Sequence, residues 1–275
     1  MTNIFNYIDR QSPVHRLTGA TKLICLIFWT FAAMSSYDTR FLALLAVLSV
    51  FLFTLSRLRL RDVSFMIGFT VVFMLLNNIL IFVFSPEHGV AIYGTRHVLF
   101  TIVGRYIVTR EQLFFHLNLI LKYFATIPFV LLFVSTTNPS EFAASLNRVG
   151  VNYKIAYAVA LALRYIPDIQ HEYRDISLSL QARGVELSRK ESVIKRLKSA
   201  ATVLIPLILS SLDRIEIISN AMELRSFGKH KKRTWYMGYP FTRSDFLAII
   251  ISLLLLLGSV FLTVVNKGRF YNPFL

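Results

Sequence analysis

The sequence FLAIIISLLLLLGSVFLTVV, residues 246–265, runs for 20 residues without a charged side chain. A helix of about 20 apolar residues is long enough to cross the hydrocarbon core of a bilayer. The rest of the chain agrees with this stretch, because 55% of its 275 residues are hydrophobic and only 16% are charged. The composition therefore excludes an ordinary soluble domain and predicts a polytopic membrane protein.

Four more apolar runs precede this stretch, and they cover residues 23–37, 41–56, 63–85 and 113–135. The first two are short, and we expect them to form a tight hairpin around SSYDTR, residues 35–40. Short runs can still span when flanking lysines and arginines reach the interface. Asn77 and Asn78, within the third run, are expected to bond to another helix. The sequence thus predicts an all-α membrane protein with about five transmembrane helices, the first of which inserts the chain without a removable signal peptide.

Basic residues are concentrated between the apolar runs. The net charge is +15, and Arg57, Arg59 and Arg61 all lie between the second and third runs. Lysine and arginine favour cytoplasmic loops, so the N-terminus, this loop and residues 136–242 are expected on the cytoplasmic side of a prokaryotic cell membrane. The membrane thereby explains the charge, and no nucleic-acid partner is expected.

Three regions follow from this topology. Residues 1–135 are predicted to form an N-terminal membrane domain with four transmembrane helices, residues 136–242 a cytoplasmic domain, and residues 243–275 a C-terminal transmembrane helix. Residues 87–111 would then lie outside the cell. The β-branched alternation in RHVLFTIVGRYIVT, residues 96–109, predicts a short hairpin or a re-entrant segment there.

The cytoplasmic domain contains three helix-forming segments. Asn138 or Ser140 is expected to cap the first segment, which stops at Gly150. The second segment becomes amphipathic towards its end and stops at Gly184. The third, residues 191–227, carries an apolar stripe at helical spacing. The stripe includes Ile208, Leu212, Ile215 and Ile218.

Both of the longer segments finish with an arginine followed by small residues. Arg183 precedes Gly184, and Arg225 precedes Ser226 and Gly228. A cation near a helix C-terminus complements the helix dipole by about 0.3 to 1 kcal/mol, which would account for one such arginine. Two such arginines in the same domain predict two equivalent docking points. At each point, small neighbouring residues would let a partner approach, and the guanidinium would bind a carboxylate.

Several other functions find little support in the residues. HEYRD, residues 171–175, has Asp175 where a zinc-binding helix needs its second histidine, so we expect a solvated polar face and no metal. No GxxxxGK[ST] phosphate loop occurs, and Cys25, the only cysteine, cannot form an intrachain disulfide. A stand-alone secondary transporter or channel is the alternative function. It would use His116 and Lys122, which have no evident carboxylate partner in the spans.

Two long stretches carry a family resemblance. They are TTNPSEFAASLNRVGVNYKIAYAVALALRYIPDIQHEYRDISLSLQARG, residues 136–184, and IPLILSSLDRIEIISNAMELRSFG, residues 205–228. Together with SPVHRLTGATK, residues 12–22, and IVTREQL, residues 107–113, they resemble the transmembrane T component of energy-coupling factor (ECF) transporters, the EcfT/CbiQ family. The similarity extends over nearly the whole chain.

The resemblance implies a non-catalytic scaffold and energy-coupling subunit of an ECF-type ABC importer for a vitamin or a metal such as cobalt. Two cytoplasmic ABC-type ATPases, of the EcfA and EcfA′ type, would bind ATP and Mg²⁺, whereas this chain would bind no cofactor. A membrane-embedded substrate-binding S component would hold the cargo. Residues 136–242 would then be the coupling domain, and the stripe from Ile208 to Ile218 would face the S component or the core. The implied ATPase-docking residues are Ala182, Arg183, Gly184, Leu224, Arg225 and Ser226, with Leu224 standing where the family commonly has a small residue.

Overall fold

The computed structural model describes residues 12–103, 106–185, 193–230, 234–236 and 238–274. The chain divides into two units. Unit 1 comprises Met1–Ser145 and Tyr239–Leu275, and unit 2 comprises Leu146–Gly238. The division into three regions made from the sequence stays a prediction.

Unit 1 is built mainly from helices, and side chains cap the first turns of some of them. Asp38 caps α2 by accepting a hydrogen bond from the Arg40 backbone N–H at 2.9 Å, and Thr109 caps α5 by accepting one from Gln112 at 3.2 Å. A 3₁₀ turn, Leu60–Asp62, links α2 to α3. The helices are α1 Gly19–Ser35, α2 Thr39–Leu55, α3 Ser64–Phe84, α4 His88–Tyr93, α5 Arg110–Thr136 and, after unit 2, α9 Arg243–Val265.

The core of unit 1 lies where α1 packs along α9 and α5, and α2 packs along α5. Trp29 on α1 stacks on Phe129 of α5 with ring centroids 4.6 Å apart, and its Nε1 donates to the Ala125 carbonyl at 2.7 Å. Ala32 and Ala33 are fully buried in the same cluster. Small residues such as Ala32 and Ala33 let membrane helices approach closely. The Trp29 indole on α1 therefore reaches α5, where its N–H has a hydrogen-bond acceptor.

Three helices in the described part of the chain, α3, α5 and α9, are long and apolar enough to cross a membrane. The predicted all-α polytopic membrane fold is therefore confirmed. The two shorter apolar helices, α1 and α2, have 17 residues each, or about 26 Å of helix against a hydrocarbon core of about 30 Å. They correspond to the two runs that the sequence identified as short. α3 differs from the others because none of its residues is buried.

A buried polar cluster joins the starts of α1 and α9 to the segment that follows α5. Asp245 completes a capping box with Thr242 at the start of α9, and it also accepts from the Thr18 backbone N–H at 2.9 Å. Glu141 accepts from the Gly19 backbone N–H at 2.6 Å. The N-terminal residues quoted for the family resemblance are thus held by carboxylates from two distant parts of the chain.

The opposite end of the helices is closed by the C-terminal residues. The Tyr37 backbone N–H donates to the Arg269 carbonyl at 2.8 Å, and the Tyr37 ring stacks on Phe270 with centroids 4.4 Å apart. Asn266 donates from Nδ2 to the Asp38 carboxylate at 2.9 Å. Only residues 36–38 separate α1 from α2, so the turn of the predicted hairpin is as tight as expected, although both helices pack mainly on α5 and α9. The C-terminal tail lies against this turn.

Residues 87–111 contain α4 and an antiparallel pair of strands, β1 Val98–Val103 and β2 Tyr106–Thr109. The hairpin predicted from the sequence is confirmed. Glu111, fully buried at the start of α5, accepts from the His97 backbone N–H at 3.1 Å. Gly89 passes so close to α5 that a Cβ there would lie 2.5 Å from the Glu111 carbonyl. The IVTREQL stretch therefore fixes α4 and the hairpin to α5.

Unit 2 contains the two longest helices, α7 Tyr153–Ala182 and α8 Val193–Leu224. A shorter helix, α6 Pro139–Arg148, precedes them. Asn138 caps α6, because its side chain accepts from the Ser140 backbone N–H at 3.0 Å. Gly150 follows α6 with a positive φ of 109°, as expected of a glycine that ends a helix.

Candidate coupling surface

α7 and α8 form an antiparallel hairpin within unit 2. Phe227, just beyond α8, packs against Tyr153 and Tyr157 at the start of α7, with ring centroids 5.7 and 4.9 Å away. Arg214, near the middle of α8, bonds to Glu172 in the second half of α7. Residues late in one helix therefore meet residues early in the other, so the helices run in opposite directions.

Each helix of the hairpin contains an internal proline. Pro167 lies in α7 and Pro206 in α8, and both helices continue through it. α7 starts at Asn152, whose side chain accepts from the Lys154 backbone N–H at 3.0 Å. A proline removes one backbone hydrogen bond from a helix interior. Each helix of the hairpin therefore lacks one backbone hydrogen bond at its proline.

The middle of the hairpin is held by a polar brace on Glu172. Arg214 donates from Nη2 to Oε2 of Glu172 at 2.8 Å, and the Ser210 hydroxyl donates to Oε1. The Arg214 and Glu172 side chains are 35% and 18% exposed, so water screens the pair less than it would a surface ion pair. The expectation that HEYRD forms a solvated polar face is wrong for Glu172. Its partners come from another helix, which the periodicity of α7 cannot reveal.

The two helix ends have the same backbone hydrogen-bond pattern. The Val185 N–H bonds to the Leu180 carbonyl at 3.0 Å after α7, and the Phe227 N–H bonds to the Met222 carbonyl at 2.9 Å after α8. Each is the six-to-one bond of a Schellman motif, in which an apolar residue follows the helix end. The triplets that the resemblance aligned as docking residues are therefore equivalent in backbone structure.

The residue after each arginine adopts the left-handed conformation. Gly184 has a φ of 83° and Ser226 a φ of 53°. Gly228, which the sequence offered as the counterpart of Gly184, lies two residues further on, and it is Ser226 that takes the equivalent position. Left-handed backbone costs a residue with a Cβ about 1 to 2 kcal/mol. Ser226 therefore introduces a small amount of backbone strain at the end of α8.

Both triplets are exposed, and they comprise Ala182, Arg183, Gly184, Leu224, Arg225 and Ser226. Leu224, which departs from the family's usual small residue, is 88% exposed. An arginine beside an outward-facing leucine offers a partner one charged and one apolar contact. Of the two, arginine is the residue type that is enriched among those that dominate protein interfaces.

The antiparallel arrangement places the two triplets at opposite ends of the hairpin. α7 has 30 residues, which corresponds to about 45 Å of helix. Arg183 lies at its C-terminal end, whereas Arg225 directly precedes the residues that reach its N-terminal end. The two guanidinium groups therefore lie at opposite ends of the hairpin and do not form one site.

Most of the predicted stripe on α8 is exposed. Ile208, Leu212 and Ile215 are 55%, 55% and 58% exposed. A different face of α8 packs inside the hairpin, where Val203 and Leu207 are only 1% and 8% exposed. The three exposed residues are therefore available to a partner or to lipid without any change in the hairpin.

Ile218, the fourth stripe residue, is half-buried and lies between these two faces. The sequence did not single out Val203 and Leu207 as the packed face, although their spacing of four residues is a helical signal. α8 carries apolar residues on more than one side, so periodicity alone could not decide which side meets α7.

The ionisable residues proposed for a secondary transporter have neutral partners. His116 bonds through Nδ1 to the Asn78 side chain at 2.8 Å, which confirms the predicted bond from Asn78 to another helix. Lys122 donates to the Met34 carbonyl at 3.3 Å and lies 3.2 Å from the centroid of the Tyr37 ring. Within the residues described, no group of three or more His, Cys, Asp and Glu side chains is placed to hold a metal ion.

Comparisons of this chain with a family model and with known proteins agree on one family. Residues 10–236 match the family model described as cobalt transport protein, CbiQ. A relative from Thermanaerovibrio acidaminovorans, named energy-coupling factor transporter transmembrane protein EcfT, is 28% identical over 264 residues, covering 93% of this chain and 94% of its own. The EcfT of Bacillus subtilis is 25% identical over 269 residues, covering 94% and 96%. The resemblance drawn from the sequence motifs is confirmed.

Proposed function

The chain belongs to the cobalt transport protein family CbiQ, and on that premise we propose that it is the T component of an ECF-type importer. It would couple two cytoplasmic ATPases to a membrane-embedded S component. The observation that carries the proposal is the pair of matching helix ends, each with an exposed arginine at the same backbone position. Two matching ends on one chain suit two partners of one kind.

Each arginine would enter a groove on one ATPase and meet a carboxylate there. A guanidinium fork binds a carboxylate with two parallel hydrogen bonds, which a lysine cannot reproduce. The separation of the ends by about the length of α7 allows each to meet its own subunit. In this arrangement ATP and Mg²⁺ are bound by the ATPases, and the chain itself is not catalytic.

The stripe formed by Ile208, Leu212, Ile215 and Ile218 would be covered by the S component. An extended apolar face on a hairpin that already has a packed side is the kind of patch that marks a partner surface. The S component would hold the vitamin or metal, so the specificity for cargo would lie outside this chain.

The hairpin would transmit the motion of the ATPases to the S component. Closure of the ATPases on ATP would displace the two arginine-bearing ends, and the shared motion of α7 and α8 would move the S component on the stripe. The brace between Glu172 and Arg214 supports this role, because it ties the middles of the two helices together. The coupling domain is placed in the cytoplasm in this proposal, following its concentration of basic residues.

The test is charge reversal at both ends. The double variant Arg183→Glu, Arg225→Glu loses both contacts with the ATPases and adds repulsion between like charges. The ATPases should therefore no longer co-purify, and uptake of the cargo should cease. Truncating one partner of a buried charge pair costs about 2 to 5 kcal/mol, so a single change should weaken docking without abolishing it. Lysine at both positions should restore function only in part.

A matched control reverses two other exposed arginines on α7, Arg164 and Arg174. That variant carries the same change in net charge and should keep both ATPases. Recovery of the ATPases and normal uptake in the Arg183→Glu, Arg225→Glu variant would defeat the proposal. So would purification of the unmodified chain alone from its native membrane, as expected of a stand-alone transporter.

A further inference from the structure

A recess in unit 1 opens between α2, α3 and α5, with a volume of about 270 Å³. Its lining is almost wholly apolar and includes Phe53 of α2, Val71 and Met74 of α3, and Phe124 and Leu131 of α5. The space far exceeds the roughly 30 Å³ that one water molecule occupies, and it offers water few polar partners. The recess therefore suits a hydrocarbon chain.

The residues of α3 that line the recess lie in the half of the helix next to the turn from α2. Leu60, in that turn, lines the recess, and on α3 the lining extends from Ile67 to Met74. Ser64, where α3 begins, and Met74 are ten residues apart, which corresponds to about 15 Å along the helix. Half of a hydrocarbon core of about 30 Å has the same thickness. The recess thus lies within the leaflet next to this turn.

The turn between α2 and α3, which lines part of the recess through Leu60, is basic. Leu60 stands between Arg59 and Arg61, and both arginines are exposed. None of the ion pairs between residues that the structure describes involves either arginine. The turn also contains Arg57 and one acidic residue, Asp62, so its formal charge stays positive. Basic groups at the interface beside a groove between membrane helices are the arrangement that binds anionic lipid headgroups.

We propose that this recess is a binding site for an anionic phospholipid, with one acyl chain between α2, α3 and α5 and the phosphate on Arg59 and Arg61. A partner helix fits the recess less well. Membrane helices meet through small residues that let their backbones approach, whereas this recess has no glycine, alanine or serine in its lining and includes the large side chains of Phe53, Phe124 and Leu131. An apolar partner helix would also leave the charges of the neighbouring turn unused.

The site gives the otherwise weakly packed α3 a second support. None of the residues of α3 is buried, and its main helical contacts are with α5 and the 3₁₀ turn. A lipid held at its headgroup and along its chain would fill the gap between α3 and α2. This role is independent of the ATPases and of the S component.

The affinity test uses the full chain in detergent with phosphatidylglycerol and phosphatidylcholine of identical acyl chains, compared by native mass spectrometry. The unmodified protein should retain phosphatidylglycerol preferentially. Arg59→Gln with Arg61→Gln should reduce that preference by about twenty-five-fold, since each basic group contributes roughly a factor of five at a membrane surface. Lys267→Gln with Arg269→Gln, which removes two exposed charges beyond α9, should leave the preference unchanged. Equal retention of the two lipids, or equal loss in both variants, would overturn the proposal.

The identity of the occupant is tested in the native membrane. A photo-crosslinking amino acid in place of Val71 should capture a phospholipid, and the mass of the adduct should include a phosphate-bearing headgroup. Val264 on α9, which is 71% exposed, provides the comparison for general contact with boundary lipid and should show no anionic preference. Cross-linking from position 71 to another protein chain would assign the recess to a partner helix, and a zwitterionic adduct from both positions would reduce it to ordinary lipid contact.

Discussion

Ser226 follows α8 with the same left-handed backbone that Gly184 adopts after α7, although serine carries a Cβ and glycine does not. The match is maintained by tertiary packing, because Phe227, the next residue, contacts Tyr153 and Tyr157 on α7. An apolar residue at this position commonly anchors a Schellman helix end. The orientation of Arg225 therefore depends on contacts made by its neighbour as well as on its own helix.

Ser226→Gly should stabilise the end of α8. Removing the Cβ relieves left-handed strain worth about 1 kcal/mol, part of which is offset by the greater freedom of glycine in the unfolded chain. We expect the Phe227 amide to exchange with deuterium up to about fivefold more slowly. Hydrogen exchange read by mass spectrometry measures this directly. Ser226→Ala keeps the Cβ and is the matched control, so equal slowing in both variants would argue against strain at this position.

Breaking the brace should destabilise the hairpin. In Arg214→Met, Glu172 keeps only the Ser210 hydroxyl as a side-chain partner among the residues described, and a buried group that loses its partner costs about 1 to 3 kcal/mol. The midpoint temperature of thermal unfolding in detergent should fall accordingly. Adding Glu172→Gln should recover part of the loss, because no carboxylate is then stranded. Arg174→Met, at an exposed position on α7, should have little effect, and strictly additive losses in the double variant would rule out coupling.

Two pairs of aspartate substitutions on α8 should separate partner contact from folding. Leu212→Asp with Ile215→Asp changes exposed residues, so the hairpin should stay folded while the S component is lost on purification. Val203→Asp with Leu207→Asp buries two carboxylates against α7 and should unfold the hairpin. Circular dichroism and co-purification give the two measurements. Loss of the ATPases, with retention of the S component, in the first variant would assign the stripe to the other partner.

Stability should depend on the charge of Asp38. Burial opposes ionisation, but hydrogen bonds from Asn266 and Arg40 outweigh it and hold the pKa of Asp38 below its ordinary value. A lowered folded-state pKa contributes stability above the unfolded-state pKa, near 3.9, and this contribution is lost as the pH falls through the folded-state value. The unmodified chain should therefore melt at a higher temperature than Asp38→Asn at neutral pH. Asparagine still caps a helix, so the difference should shrink on acidification below about pH 4, and a difference that stays constant with pH would exclude a contribution from ionisation.

The sequence by itself determined the features that depend on neighbouring residues. A charge-free run of apolar residues identifies a membrane helix wherever it packs, since the bilayer supplies the burial. Capping also depends on residues within one turn, so Gly184 could be assigned from its position and the cap of α6 narrowed to Asn138 or Ser140. The hairpin at residues 96–109 followed from alternation, which is equally local. The family resemblance rested on the same continuous stretches.

Only the tertiary structure decided which side chains meet across the fold. Glu172 appears in the sequence as one polar residue among several, and Arg214 lies 42 residues away. α8 is apolar on more than one side, so its pattern fits either Val203 or Leu212 against α7, and only packing buries the first. Ser226 is likewise a weak helix stop by propensity, and the ring contacts of Phe227 hold it in place. Such pairings depend on the distance between separate helices. The periodicity of a single helix gives no information about that distance.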